Sequence, residues 1–218
     1  MDTLRRALET VIGETDRSHV ERLTLVAAII SEALRQRRLE ATLVGGGAVE
    51  FYDPGAHTTS DIDLVVERRV EIPDLELELT DVFTGLGFER HGRHWQRSDM
   101  FVEIPGRAMT DPTEVFQVGP YALRVVRKEI VLGERIVGFK HWRYTGHGAQ
   151  AIDMIAAFGD EMDEQLLQRY LQREDAEDAF EVLRKLAHSN VIVDDEVLRK
   201  ELVNLGHGRR KEAADNGD

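Results

Sequence analysis

Two aspartates one residue apart, in Asp61-Ile62-Asp63, are the residues of this chain best placed to do chemistry. They open DIDLVVE (61–67), a run rich in β-branched residues that reads as a strand. Residues two apart on a strand point to one face, so the two carboxylates project together while Ile62, Leu64 and Val66 turn to the other side. Ionised carboxylates held side by side repel each other and stay ionised together only beside a cation. Oxygen-only donors suit a hard ion, Mg2+ or Mn2+. Such ions commonly hold substrate phosphates and support an in-line displacement.

A third carboxylate on a neighbouring strand would complete the site. In MFVEIP (100–105), Glu103 alternates with Val102 and Ile104, so it faces away from the core with Phe101. Asp99 is its main competitor, with Asp111 and Glu114 on the following loop behind it. Upstream, LVGGGA (43–48) places three glycines at the end of an apolar stretch. A glycine turn that opens a helix lets backbone N–H groups approach phosphate oxygens, and the helix N-terminus favours the anion. Gly45 and Gly46 are therefore phosphate-binding candidates, and Thr59 and Ser60 can add hydroxyl donors. Taken singly, three glycines usually make a tight turn and an Asp-x-Asp a solvated strand face. It is the order strand, glycine turn, helix, strand that joins them into one site.

The elements that must position these groups follow from periodicity and punctuation. Helices are predicted over 2–12 and 17–38, the second with Val20, Leu23, Val26, Ala27 and Ile30 at helical spacing and with Asp16 or Ser18 as its cap. A short strand at 41–44 runs into the glycines, and a short helix is predicted from Ala48 to Tyr52. Asp53-Pro54-Gly55 is a turn. The strand 61–67 leads to a helix over Pro73–Leu86. Then come a hairpin or two short strands containing Phe101–Ile104, a loop marked by Pro105, Gly106 and Pro112, and a strand at Tyr121–Val126. From Glu129 to 204 the reading is helical, with breaks near Gly146–Gly148, Gly159–Asp160 and Asn190. The fold class is α+β: a mixed sheet with flanking helices, then an all-α C-terminal subdomain. The expected division is 1–130, 131–205 and a disordered tail over 206–218.

At this point the string VGGGA followed by HTTSDIDLV resembles the signature of the DNA polymerase β-like nucleotidyltransferase superfamily. The subgroup it is most similar to is that of small bacterial and archaeal proteins related to AbiEii/MenT-type toxin nucleotidyltransferases. The likeness covers about residues 39–155 and is most specific over 43–65. In that subgroup an arginine usually stands four residues before the first aspartate and a threonine two before it; here those places hold His57 and Thr59. The resemblance implies a palm-like sheet and a third acidic residue on a later strand, the place of Glu103, where aspartate is commoner. It also implies a lysine in the first helix after the core and an aspartate about a dozen residues on, the places of Lys140 and Asp153.

The activity implied is Mg2+- or Mn2+-dependent transfer of a nucleoside monophosphate from ATP or another NTP to an acceptor hydroxyl. Asp61, Asp63 and Glu103 would hold the metal. Gly45, Gly46 and Ser60 would cradle phosphates, and Lys140 would neutralise charge as pyrophosphate leaves. In this family the acceptor is a tRNA, a protein side chain or a small molecule such as an antibiotic, and a cognate toxin or antitoxin partner is possible for the subgroup. The competing expectation is a degenerate member that keeps the fold as a binding or regulatory module.

Other conspicuous residues have plain structural readings. His141, Trp142, Arg143 and Tyr144 form an aromatic and basic run, with Trp142 expected in the core. His91 and His94 have a zinc-like spacing but read better as exposed hairpin residues. REDAEDAFEVL reads as the solvated face of a helix that packs Ala176, Ala179, Phe180 and Leu183 inward.

Bulk composition narrows the classes. The chain has 218 residues, 42% hydrophobic, which suffices for a globular core. Its net charge of −13 argues against broad nucleic-acid binding unless Arg90, Arg93, Arg97 and Arg107 form a local patch. With no cysteine, disulfides and thiolate metal sites are excluded. MDTLRRALETVIGE lacks an apolar signal core and no stretch is apolar enough to span a bilayer, so a cytoplasmic protein is expected.

Overall fold

A computed structural model describes residues 1–55, 59–70 and 74–215. It divides into two compact units, Met1–Arg127 and Lys128–Asp218. The architecture is α+β, a mixed sheet with flanking helices in the first unit and helices alone in the second.

The first unit opens with α1 (Asp2–Gly13) and α2 (His19–Gln36). α2 starts where two groups satisfy each other's backbone: Ser18 Oγ accepts the Glu21 N–H, and the Glu21 carboxylate accepts the Ser18 N–H. Of the two expected caps, Ser18 is the one used. There follow β1 (Leu39–Val44), α3 (Gly45–Tyr52), β2 (Asp61–Arg68), α4 (Leu75–Gly85), β3 (Glu89–His91), β4 (His94–Arg97), β5 (Met100–Glu103), β6 (Thr113–Val118) and β7 (Tyr121–Val126). Among the described residues these strands make one sheet, in the order β3-β4-β5-β2-β1-β7-β6. β1 runs antiparallel to β2 with Val44 opposite Asp63, and β5 runs parallel to β2 with Glu103 opposite Asp63.

Alternation along the central strands sets the two faces. Leu39, Ala41 and Leu43 of β1, Ile62, Leu64 and Val66 of β2, and Met100 and Val102 of β5 are buried. α2 packs on β1, β2 and β7, and Phe83 of α4 stacks on Trp95 of β4 with centroids 4.8 Å apart. The same alternation turns Asp61, Asp63, Phe101 and Glu103 to the other face.

Several boundaries differ from those read in the sequence. α3 begins at Gly45 rather than Ala48, because close packing requires glycine there, whatever its intrinsic helix preference. α4 begins at Leu75, where Asp74 accepts the Leu77 N–H, and Pro73 lies outside the described residues. β6 was not foreseen. Its TEVFQV alternates, but it pairs only with β7 at the sheet edge and buries little.

The second unit comprises α5 (Lys128–Trp142), α6 (Thr145–Phe158), a short 3-10 turn (Gly159–Glu161), α7 (Glu164–Arg173), α8 (Glu177–Ala187) and α9 (Asp195–Asp215). The break expected at Gly146–Gly148 falls instead at Arg143, which takes the left-handed φ of 57°. Gly146 and Gly148 lie inside α6, and a β-carbon on Gly148 would come within 2.6 Å of the Phe139 ring. REDAEDAFEVL is not one helix, since α7 ends before Asp175, also left-handed at φ 50°. Ala176, Ala179, Phe180 and Leu183 are nonetheless buried as expected. α9 runs to Asp215 through a segment read as a disordered tail from 206; its Arg, Lys, Glu and Ala residues are good helix formers. Among the described residues no helix is long and apolar enough to cross a membrane.

At one end of the sheet Glu40 joins three elements. It accepts hydrogen bonds from Arg69, just after β2, at 2.6 Å and 3.2 Å, and from Arg124 of β7 at 2.8 Å. The Arg69 hydrogen bond foremost, with Arg124 beside it, holds the Glu40 carboxyl below its ordinary pKa against the opposing effect of burial. A carboxyl with a depressed folded-state pKa contributes stability above its unfolded pKa and loses it as pH falls toward the folded value. Urea midpoints should therefore drop as the pH is lowered through and below the ordinary carboxylate range, and Glu40→Gln should flatten part of that drop. An identical pH profile for the variant would mean that the Arg69–Glu40–Arg124 group does not stabilise the fold.

Candidate active site

The site begins at the turn from β1 into α3. Val44 is extended, and Gly45 then takes a φ of 63°. A β-carbon on Gly45 would overlap Asp63 Oδ2, and one on Gly46 would lie 2.8 Å from Thr59 Oγ1. The glycines thus let the helix start press directly onto the strand that carries the aspartates. No side chain caps α3, so its first-turn N–H groups and the positive end of its dipole are left for another acceptor. The uncapped helix start and the Asp-x-Asp pair adjoin one another through the close approach of Gly45 to Asp63.

Asp61 and Asp63 share a face of β2, as their spacing predicts. Asp61 Oδ1 accepts from Ser60 Oγ at 2.5 Å, so the hydroxyl expected at a phosphate is here turned to the aspartate. Glu103 stands opposite Asp63 in the register of β5, on the face that alternation assigned to it. Its carboxylate meets two cationic or ionisable groups from the adjacent hairpin: Arg93 Nε at 3.2 Å and His94 Nδ1 at 3.6 Å. The Glu103 side chain is 19% exposed and the Arg93 side chain 77%. Among the described residues no three His, Asp or Glu side chains are grouped closely enough to hold a metal ion. The donor set nonetheless suits a hard cation. Mg2+ is typically held by one or two carboxylates with the remaining positions filled by water and substrate phosphate, which Asp61 and Asp63 beside an uncapped helix start can satisfy. The competitors of Glu103 are engaged elsewhere. Asp99 binds Arg22 of α2 through both oxygens, at 3.0 Å and 2.9 Å, and Glu114 lies 3.6 Å from Arg127.

Two residues of the site's surroundings were missed in the sequence. Glu50 of α3 is 1% exposed and accepts the Thr59 N–H at 3.0 Å. His19 Nε2 lies 2.7 Å from the Thr59 carbonyl oxygen. The available signal was a lone carboxylate within the apolar AVEFY segment. His57, where the family resemblance expects arginine, lies outside the described residues.

The remaining candidates are distributed differently from expectation. Lys140 lies in the second unit with its side chain 6% exposed, and its ammonium donates to Asp178 Oδ1 at 2.5 Å and to the Asp175 carbonyl. It holds the α7–α8 turn against α5. Trp142 is not core but 71% exposed, because α5 ends with it and the chain turns away at Arg143. Its ring and that of Tyr144 both contact His147. Each arginine of the expected basic patch has a carboxylate partner: Arg90 and Arg107 share Glu76, Arg97 binds Glu9, and Arg93 binds Glu103. His91 and His94 lie on the hairpin, with Glu89 and Glu103 as their respective neighbours.

No protein-family model matches the chain. No curated protein matches it either. Solved structures similar to it include an antigenic nucleotidyltransferase-like protein from Paracoccidioides brasiliensis, at 16% identity and TM-score 0.49, covering 73% of this chain and 92% of that one. The antibiotic-resistance factor ANT(2'')-Ia is similar at 16% identity and TM-score 0.46, covering 84% and 99%. JHP933 from Helicobacter pylori is similar at 12% identity and TM-score 0.38, covering 94% and 98%. The assignment of roles rests on this chain's own residues.

Gly45→Ala should lower the unfolding free energy by roughly 1–2 kcal/mol from the left-handed backbone alone, with a further loss as Asp63 is pushed aside. Unchanged urea stability would show that Asp63 yields freely and that the contact is not a constraint. Lys140→Ala should cost roughly 1–3 kcal/mol, less than additively with Asp178→Asn. A stability equal to wild type would mean that the Lys140–Asp178 pair does not hold the helices.

Proposed function

We propose that this chain is a metal-dependent nucleotidyltransferase that moves a nucleoside monophosphate from an NTP to an acceptor hydroxyl. The observation that carries this reading is the contact of Gly45 with the Asp63 carboxylate, which joins an uncapped helix start to an Asp-x-Asp strand. In this reading the first-turn N–H groups of α3, at Gly45 and Gly46, receive the triphosphate oxygens. Asp61 and Asp63 hold the metal, which when bound would neutralise the triphosphate and polarise the reacting oxygens. The acceptor oxygen forms a bond to the α-phosphorus as the bond from that phosphorus to the β-bridging oxygen breaks, and pyrophosphate leaves. The hydroxyl proton goes to a carboxylate of the site, a role this reading gives to Glu103, in register with Asp63. Glu103 would first exchange its contact with Arg93. Acceptors within this reading are an RNA end, a protein side chain or a small molecule, and a toxin–antitoxin partner belongs to the first two.

One observation favours a second reading, a fold retained as a binding or regulatory module: the third carboxylate is tied up by Arg93 and His94. The deciding experiment incubates the protein with each labelled NTP, Mg2+ or Mn2+, and total RNA, lysate protein or small acceptors in turn. Wild type should transfer label to one acceptor class, and Asp61→Asn/Asp63→Asn should reduce transfer by at least about a hundredfold. No label in any arm, together with no metal-dependent thermal shift from NTP, would replace the enzyme by the binding module.

A further inference from the structure

Thr59 is gripped on every polar group it has. Its N–H donates to Glu50 Oε1 of α3 at 3.0 Å, and its carbonyl accepts from His19 Nε2 of α2 at 2.7 Å. A carbonyl only accepts, so Nε2 of His19 carries the proton. Its hydroxyl reaches the backbone N and O of Asp61, each at 3.4 Å. The same hydroxyl sits where a β-carbon on Gly46 would be only 2.8 Å away. α2, α3 and the start of β2 therefore converge on the residue two before the first aspartate.

The expense of this arrangement marks it as more than packing. Glu50 is 1% exposed, and among the described residues its Oε2 has no hydrogen-bond partner. A carboxylate buried in this way is costly, and an apolar residue of similar size would fill the space without that cost. What an apolar residue would lose is the acceptor for the Thr59 N–H, which would then be left unpaired beside a buried helix. Ser60 and Asp61 follow at once, with Ser60 Oγ already on the Asp61 carboxylate, so any drift of Thr59 is passed to the first metal-ligand candidate.

We propose that Glu50 and His19 are positioning residues that clamp Thr59 and so fix the direction in which Asp61 enters β2. Neither residue touches the substrate or the metal. The clamp acts by holding the Thr59–Asp61 backbone against the glycine turn, so that the aspartate pair and the helix start keep one mutual geometry. It rests on the nucleotidyltransferase reading only for its consequence in catalysis, because the clamp itself is a statement about the backbone.

Two measurements keep these apart. The first is hydrogen–deuterium exchange of the segment containing Thr59 and Asp61, in the metal-free protein. Glu50→Leu and His19→Phe, on different helices, should each speed exchange at these amides by about tenfold, the effect of one lost buried hydrogen bond, and Glu50→Gln, which keeps an acceptor oxygen, should stay near wild type. The second is the Mn2+ and NTP concentration giving half the maximal thermal shift. It should rise about tenfold in Glu50→Leu and His19→Phe and return toward wild type in Glu50→Gln. If exchange is unchanged in both Glu50→Leu and His19→Phe, or if Glu50→Gln exchanges as fast as Glu50→Leu, the clamp is wrong. Should Glu50→Leu not fold, His19→Phe alone decides, with unchanged exchange overturning the proposal. Faster exchange without any thermal shift in the wild type would uphold the clamp and count against the nucleotidyltransferase reading instead.

Discussion

The Asp63 carboxyl group occupies the space where any residue but glycine would place a β-carbon at position 45. Much follows from that one exclusion. The left-handed turn at Gly45 lets β1 end and α3 begin without an intervening loop. The antiparallel register of β1 and β2, with Val44 opposite Asp63, then brings the start of α3 onto the carboxylate face of the sheet. Because α3 contributes Glu50, the same turn also delivers the buried carboxylate that meets Thr59. Three glycines in a helical first turn cost local stability, and the close approach they permit is what that cost secures.

Much of the fold was legible because its signals were local and periodic. The alternation of DIDLVVE and MFVE placed Asp61, Asp63 and Glu103 on one face, and the structure keeps them there. Ser18 and Glu21 announced the start of α2. Errors arose where tertiary contact overrode local preference. Gly146 and Gly148 looked like breakers, yet α6 accommodates them because the Phe139 ring leaves no room for a side chain at 148. Breaks near Gly159–Asp160 and Asn190 fall where expected, whereas those at Arg143 and Asp175 sit at left-handed non-glycine residues that no composition rule marks. The edge strand β6 escaped notice because an exposed, lightly buried strand has little hydrophobic contrast.

The candidate site was legible in its carboxylates and glycines and illegible in its counter-charges. Ion pairs between residues far apart in sequence leave no periodic trace. That is why an arginine patch was expected where Glu9, Glu76 and Glu103 in fact engage each arginine. Lys140 shows the same limit. Its place in the chain resembled a family position, but its surroundings, set by the α7–α8 turn, became visible only in three dimensions. Glu50 and His19 were hidden for the converse reason, since each meets the backbone of Thr59 rather than a recognisable side-chain partner.

The sheet order has a consequence for how such a site is put together. β1, α3 and β2 are consecutive, so the glycine turn and the aspartate pair form a single local hairpin-like piece. Glu103 belongs to a separate piece, the antiparallel meander β3-β4-β5, which joins the rest of the sheet through the parallel pairing of β5 with β2. That meander brings its own counter-ion, since Arg93, at the turn next to the strand that carries Glu103, pairs with it, and His94 Nδ1 lies 3.6 Å from the same carboxylate. The third carboxylate therefore arrives as a self-neutralised cassette. Its charge is partnered within the meander, so the pairing of β5 with β2 brings to Asp63 a carboxylate that already carries its own cation.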